Sequence, residues 1–113
     1  MKANRKTDRA TQFVIVWEFH PRSGKNREFG KAYSPHGLWA EFFSKGEGYI
    51  RTELLRDRED PLRYFTIDVW QSRQAYERFK KQHRDEYQSI DQQCEPLTAY
   101  EKKIGEFQSI GIK

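Results

Sequence analysis

Cysteine is almost missing. Cys94 is the only one in 113 residues, so no disulfide can close within the chain and no cysteine-based metal cluster is encoded. Its neighbours Gln93 and Glu95 do nothing to lower a thiol pKa, and it reads as a partly buried, idle thiol. Long hydrophobic runs are missing as well. The apolar stretch Phe13–Trp17 stops at Glu18, with no small-residue cleavage pattern after it, and is too short for a signal peptide or a membrane span. A cytoplasmic location is therefore expected, without a membrane partner. Repeats and low-complexity segments are also lacking.

Charge of one sign is in only slight excess. The net charge is +4, and Lys2, Arg5, Lys6 and Arg9 against Asp8 place most of that surplus in residues 1–11. This segment reads as a basic disordered tail. The remainder is close to neutral, so a nucleic-acid partner is not expected. Aliphatic residues are scarce, but aromatic ones make up 15% of the chain, with three Trp and six Tyr. The length suits one domain with an aromatic core. A core so lean in aliphatic residues points to a homodimer, because a small domain alone buries a modest share of its surface.

The most informative stretch is Leu62–Tyr87. From Arg63 to Trp70 the side chains alternate: Arg63, Phe65, Ile67 and Val69 share one face, and Tyr64, Thr66, Asp68 and Trp70 the other. The first face is mostly apolar and is expected in the core. The second mixes an acid, a hydroxyl and two aromatics with polar handles, a set suited to lining a pocket. Ser72 stands where an N-cap is wanted, so a helix is predicted from Arg73. Ala75, Tyr76, Phe79, His83, Tyr87 and Ile90 recur along it at spacings of three and four, forming an inward stripe. This helix is expected to fade around Gln92–Glu95, before Pro96.

The other elements follow. Phe13–His20 reads as a strand with both faces apolar at its start, ended by Pro21. Between Ser23 and Lys45 the spacing turns helical and is interrupted at Ser34-Pro35, which predicts two short helices or one strong kink, with Ser34 as the new N-cap and Pro35 at the first helical position. Gly46-Glu47-Gly48 is a stop and a turn. Tyr49–Arg56 reads as a second strand, joined through the charged loop Asp57–Pro61 to the third as a hairpin. Leu97–Phe107 is the last strand, with Thr98, Tyr100, Lys102, Ile104 and Glu106 on one face and Gly105 marking a bulge or close approach. Residues 108–113 read as a tail. The order βαββαβ is the ferredoxin-like arrangement of α+β class: a four-stranded antiparallel sheet with two helices on one face. Strands apolar on both sides imply that the open face meets a second copy, giving a dimeric barrel.

The order of elements resembles the antibiotic biosynthesis monooxygenase family of dimeric α+β barrels. So do Gly37-Leu38-Trp39-Ala40, Gly48-Tyr49, Trp70-Gln71-Ser72 with Ala75-Tyr76 and Phe79, and Tyr100-Glu101 with Ile104-Gly105. The resemblance spans residues 12–107. It implies oxidation of a small phenol- or hydroquinone-type aromatic by O₂ with no metal or flavin, in a pocket between helices and sheet. Trp70 and Tyr76 match the family's pocket Trp and Tyr, whereas Thr66 stands where characterised members have Asn. The substrate must lose a proton before its ring reduces O₂, and Asp68 or His83 is the nearest candidate base. Tyr64, Thr66, Phe79 and Trp39 complete the set expected to contact substrate. The haem-degrading members of the superfamily offer haem as an alternative cofactor. They require an Asn in the first strand, which Phe13–His20 lacks, and a helix-two histidine about one turn before His83.

Each of these residues also has a structural reading. Trp70 and Tyr76 suit a core that clamps sheet to helix, and His83 suits a satisfied boundary position. Asp68 suits an ion pair with Arg51 or Lys102 on a neighbouring strand. A non-catalytic barrel that binds a small ligand therefore stands beside the monooxygenase.

Overall fold

The computed structural model describes residues 11–111. Strands β1 (Phe13–Pro21), β2 (Tyr49–Arg56), β3 (Tyr64–Trp70) and β4 (Thr98–Gln108) form one sheet in the order β2-β3-β1-β4, antiparallel throughout. Helices α1 (Asn26–Tyr33) and α2 (Leu38–Phe43) follow β1. Helices α3 (Arg73–Gln82) and α4 (Arg84–Cys94) follow β3, and a short 3₁₀ turn, Glu95–Leu97, leads into β4. This is the expected ferredoxin-like α+β fold. The basic tail lies, apart from Thr11, outside the described residues, and the tail expected from residue 108 begins with a residue still paired in β4.

Register decides which face is the core. Phe13 lies opposite Trp70, Ile15 opposite Asp68 and Phe19 opposite Tyr64, so the apolar side of β1 and the mixed side of β3 point the same way. The helices cover that side: Phe13, Ile15, Phe19, Phe29, Phe42, Phe43, Trp70, Phe79 and Ile90 belong to one buried cluster. The Phe65–Ile67–Val69 face, expected as core, is on the opposite, helix-free side, where Phe65 and Ile67 are only half-buried and Val69 alone is closed off.

Local chemistry accounts for the helix ends. Ser72 is extended and its Oγ accepts the Ala75 N–H at 3.0 Å, which satisfies one of the unpaired amides of the first turn. The single helix expected from Arg73 is divided at His83, whose backbone (φ −120°, ψ 35°) leaves the helical region. No Gly or Pro marks the break. The first helical region is two helices, but Ser34 does not start the second. Its N–H closes α1 on the Gly30 carbonyl, and Gly37, whose N–H returns to the Ser34 carbonyl at 2.9 Å, takes the N-cap position. A Cβ on Gly37 would sit 2.9 Å from Ala32 backbone atoms, so glycine permits the close turn between α1 and α2.

Two strand details position side chains. In the Asp57–Pro61 loop, Asp57 accepts the N–H groups of Glu59 and Asp60, and Arg63 donates to Asp57 and Glu18; together these hold the hairpin. In β4 the register shifts between Val16 and Trp17, whose partners are Gly105 and Lys103. Ile104 is the extra residue. The bulge reverses the alternation, so Glu106 lies opposite Ile15 on the helix side, apart from Tyr100 and Lys102, and its carboxylate is 3.7 Å from Arg73 Nε.

Candidate functional site

A cavity of about 60 Å³ opens between the sheet and the helices. Its walls are Trp17 and Phe19 from β1, Tyr33 from α1, Trp39 and Phe43 from α2, and Tyr87 from α4. Thr52, Thr66 and Asp68 line its sheet side, because directly paired residues of antiparallel strands project from the same face and Thr52 is paired with Asp68. Asp91 and Glu101 also line it and are exposed, forming a rim.

Asp68 is the buried acid of the cavity. It is 9% exposed, and Thr52 Oγ1 donates to its Oδ1 at 2.6 Å. That contact uses the one Thr52 proton, so the Tyr49 hydroxyl, 2.7 Å from Thr52 Oγ1, is the donor to threonine. No cation pairs with Asp68 among the described residues. Arg51, expected as a partner, pairs with Glu53, and Lys102 lies opposite Glu18 in the register. Burial pushes the Asp68 carboxyl up to about 6, and the Thr52 hydrogen bond opposes that rise. The second carboxyl oxygen has no hydrogen bond among the described residues.

The other expected site residues are distributed as follows. Thr66 and Trp39 line the cavity with Asp68. Trp70 does not. It is fully buried, with the rings of Phe43, Tyr49, Tyr76 and Phe79 at 5.8, 5.3, 5.5 and 5.3 Å, and its Nε1 makes no hydrogen bond. Tyr76 packs between Trp70 and Phe13, with its hydroxyl beside that of Tyr87, and burial raises its pKa. Phe79 is core, and the Tyr64 ring lies tilted against that of Phe29, 5.1 Å between centroids. His83 sits at the α3–α4 break with its ring 4.6 Å from that of Phe79 and Nδ1 4.0 Å from Glu86. It is not part of the cavity lining.

Several lining residues escaped the sequence reading. Thr52 looked like an ordinary strand residue, since its partner is sixteen positions away. Asp91 stands one helical turn after the inward Tyr87 and was legible in principle. Glu101 depends on the β4 register. Trp39 Nε1 makes no hydrogen bond of normal geometry, although it lies close enough to the Tyr33 hydroxyl and Cys94 thiol to oppose the rise that burial imposes on both.

A haem does not fit this arrangement. No His or Cys lines the cavity, so it offers neither of the usual axial ligands for a haem iron. Among the described residues no group of three or more His, Cys, Asp or Glu side chains is placed to hold a metal ion, and no helix is long and apolar enough to cross a membrane.

The family model described as antibiotic biosynthesis monooxygenase matches residues 12–90. The chain belongs to that family. Among solved structures it is similar to SnoaB, a cofactor-independent oxygenase from Streptomyces nogalater, at 24% identity over 91% of this chain and 97% of that one, with a TM-score of 0.74. Another likeness is a putative antibiotic biosynthesis monooxygenase from Bordetella bronchiseptica, at 15% identity over 88% and 98% of the two chains, TM-score 0.68. A third is a putative family member from Nitrosomonas europaea, at 16% identity over 87% and 89%, TM-score 0.66. These likenesses carry the fold. No curated protein matches the chain. Within this family framework, the Trp70–Ser72–Tyr76 junction joins sheet to helix, and the cavity lies beside it over Asp68.

Proposed function

We propose that this antibiotic biosynthesis monooxygenase family member oxidises a small phenol- or hydroquinone-type aromatic with O₂, using Asp68 as general base and no metal or flavin. The observation that carries this reading is Asp68 itself: a buried carboxylate that pairs with no described cation and lines an aromatic-walled cavity, with one oxygen held by Thr52 and the other making no hydrogen bond among the described residues. With its pKa near 6, it is ionised at neutral pH yet basic enough to share a phenol proton.

The chemistry balances with the substrate and O₂ alone. Asp68 takes the hydroxyl proton, and a hydrogen-bearing ring carbon ortho or para to the phenolate oxygen donates electrons to O₂ and binds it. Asp68 returns the proton to the resulting peroxide. Loss of the ring C–H proton with cleavage of the O–O bond then leaves a quinone and one water. The aromatic walls, Trp39 among them, orient the ring, and Thr66 offers a hydroxyl beside it. Trp70, Tyr76, Phe79 and Tyr64 act at one remove, by fixing the sheet against α2 and α3. His83 has no part in the proton transfer. Oxygen-electrode measurements with a panel of single-ring hydroquinones and phenols, in chelator-treated protein, test the reading. Saturable uptake with one O₂ consumed per quinone formed is expected, and absence of uptake across the panel would overturn it.

The working assembly in this proposal is a homodimer. Leu55, Tyr100, Ile104 and Phe107 are 42–50% exposed, and Leu55 and Phe107 lie in register with the half-buried Phe65 and Val14 on the helix-free face. An apolar sheet face of this kind is normally covered. Light scattering at micromolar concentration is expected to give about twice the 13.6 kDa chain mass, and Phe107→Glu is expected to shift it toward the monomer.

A further inference from the structure

The chain is basic as a whole, with a net charge of +4, yet its cavity is acidic. Asp68, Asp91 and Glu101 line it and, among the described residues, no Lys or Arg does. We infer that the ligand of this cavity is an aromatic ring bearing a protonated amine, with Asp91 and Glu101 receiving the ammonium at the rim while the ring lies among the aromatic walls. This rests on the cavity being the ligand site, as proposed above, and adds the substrate's charge.

Two separate features favour a cation, and a third receives the ring hydroxyl. The walls are ring faces and edges, which attract an ammonium through their quadrupoles. Asp68, nine-tenths buried, lines the space with one carboxyl oxygen that makes no hydrogen bond among the described residues, and so can accept from the occupant's hydroxyl. Among the described residues no ion pair neutralises the rim acids. Arg22 shares an outer cleft with Asp91 and Glu101, and Lys80, Lys81 and Arg84 share another with Asp91, but neither acid forms an ion pair with a described cation. Glu101 is hydrogen-bonded only by the Thr98 hydroxyl, at 3.3 Å. Its pKa is raised, by burial first and by the nearby Asp91 second, as expected where negative charge is in local excess. A ligand carrying a carboxylate or phosphate would be repelled by the three acids that line the cavity. A ring with a hydroxyl at one end and an ammonium at the other places the first at Asp68 and the second at the rim.

The test compares three phenols that share a ring and differ in the charge of the side arm: tyramine (cationic), para-ethylphenol (neutral) and hydroxyphenylpropanoate (anionic). Calorimetric titration of the full chain under anaerobic conditions separates binding from turnover. Tyramine is expected to bind at least about tenfold more tightly than ethylphenol, the anion most weakly, and the preference is expected to shrink with added salt. In the double variant Asp91→Asn, Glu101→Gln the two side chains are exposed and the Thr98 contact has an acceptor. There, tyramine is expected to fall to the affinity of ethylphenol while ethylphenol is unchanged. Equal or tighter binding of the neutral or anionic phenol, no binding of tyramine, or a cation preference that survives the double variant would each overturn the inference. Cation-selective binding without oxygen uptake would sustain the ligand class and reject the oxygenase. Uptake with neutral phenols and no cation preference would do the reverse.

Discussion

Asp68→Asn is expected to lower turnover of any accepted phenol by about 10²–10⁴-fold, the usual contribution of a positioned base, while making the protein more stable at neutral pH. The two effects share one cause. Burial lifts the Asp68 carboxyl from its ordinary 3.8 to about 6, so the folded protein holds that proton more tightly than the unfolded chain. Between pH 3.8 and 6 the folded state therefore binds more protons, and this group's contribution to stability falls as pH rises through that window. Above it, the ionised carboxylate costs on the order of 3 kcal/mol. Asn removes that cost and keeps an acceptor for the Thr52 hydroxyl. Thermal melts of the variant and wild type should therefore diverge above pH 6, with the variant higher, and approach each other near pH 4. Wild-type turnover should rise with pH through about 6 and then level off, because the base must be ionised. An Asn variant of unchanged turnover would remove Asp68 from the chemistry. A variant less stable at pH 8 would show that the carboxylate is better solvated than its burial implies.

Trp70→Ala carries the other large effect, and it falls on stability. The indole is completely buried among four rings and joins the end of β3 to α2 and α3. Truncating a Trp in such a place costs about 3–5 kcal/mol, since the cavity left behind closes only partly. For a domain of this size that lowers the melting temperature by more than about 10 °C. Gly46 supplies a second probe of the same contact. A Cβ there would sit 2.6 Å from Phe79 Cδ1 and 2.9 Å from two Trp70 ring carbons, so Gly46→Ala overpacks the core at a cost of about 1–3 kcal/mol. Because both substitutions act on one ring, their costs should not add: the alanine at 46 should be better tolerated once Trp70 is gone. Trp70→Phe, which retains most of the packing, tests the residue's chemical role separately. With the fold kept, loss of turnover in that variant would give the indole a part in the reaction that its absence from the cavity lining does not suggest.

Much of this molecule was legible from periodicity. The two-residue alternation of Phe13–Phe19 and Tyr64–Trp70 and the three-and-four spacing after Ser72 are local consequences of strand and helix geometry. So are the Ser72 cap and the Gly46–Gly48 turn, and all of them survive in the structure. The element order then left few ways to connect the sheet. Asp68 also stood out locally, because a carboxylate in the middle of an aromatic strand needs an explanation.

What depended on distant residues was not legible. The alternation of β3 points to Phe65, Ile67 and Val69 as the core face, but pairing with β1 overrides it: Phe13 and Ile15 fall opposite Trp70 and Asp68, so the mixed face is the covered one. The partner of Asp68 was sought among cations by charge, yet the register across the hairpin delivers Thr52. One extra residue in β4, Ile104, shifts which side chains face the helices beyond it. His83 lies on the apolar stripe as the spacing predicts, but the break between α3 and α4 leaves it against Phe79 and away from the cavity. The sequence by itself determined the fold class, the elements and the acid at the centre, because these follow from short-range patterns. Only the tertiary structure decided which residues surround that acid, and hence the aromatic walls and the negative rim, because those neighbours meet through strand register and helix packing between residues far apart in the chain.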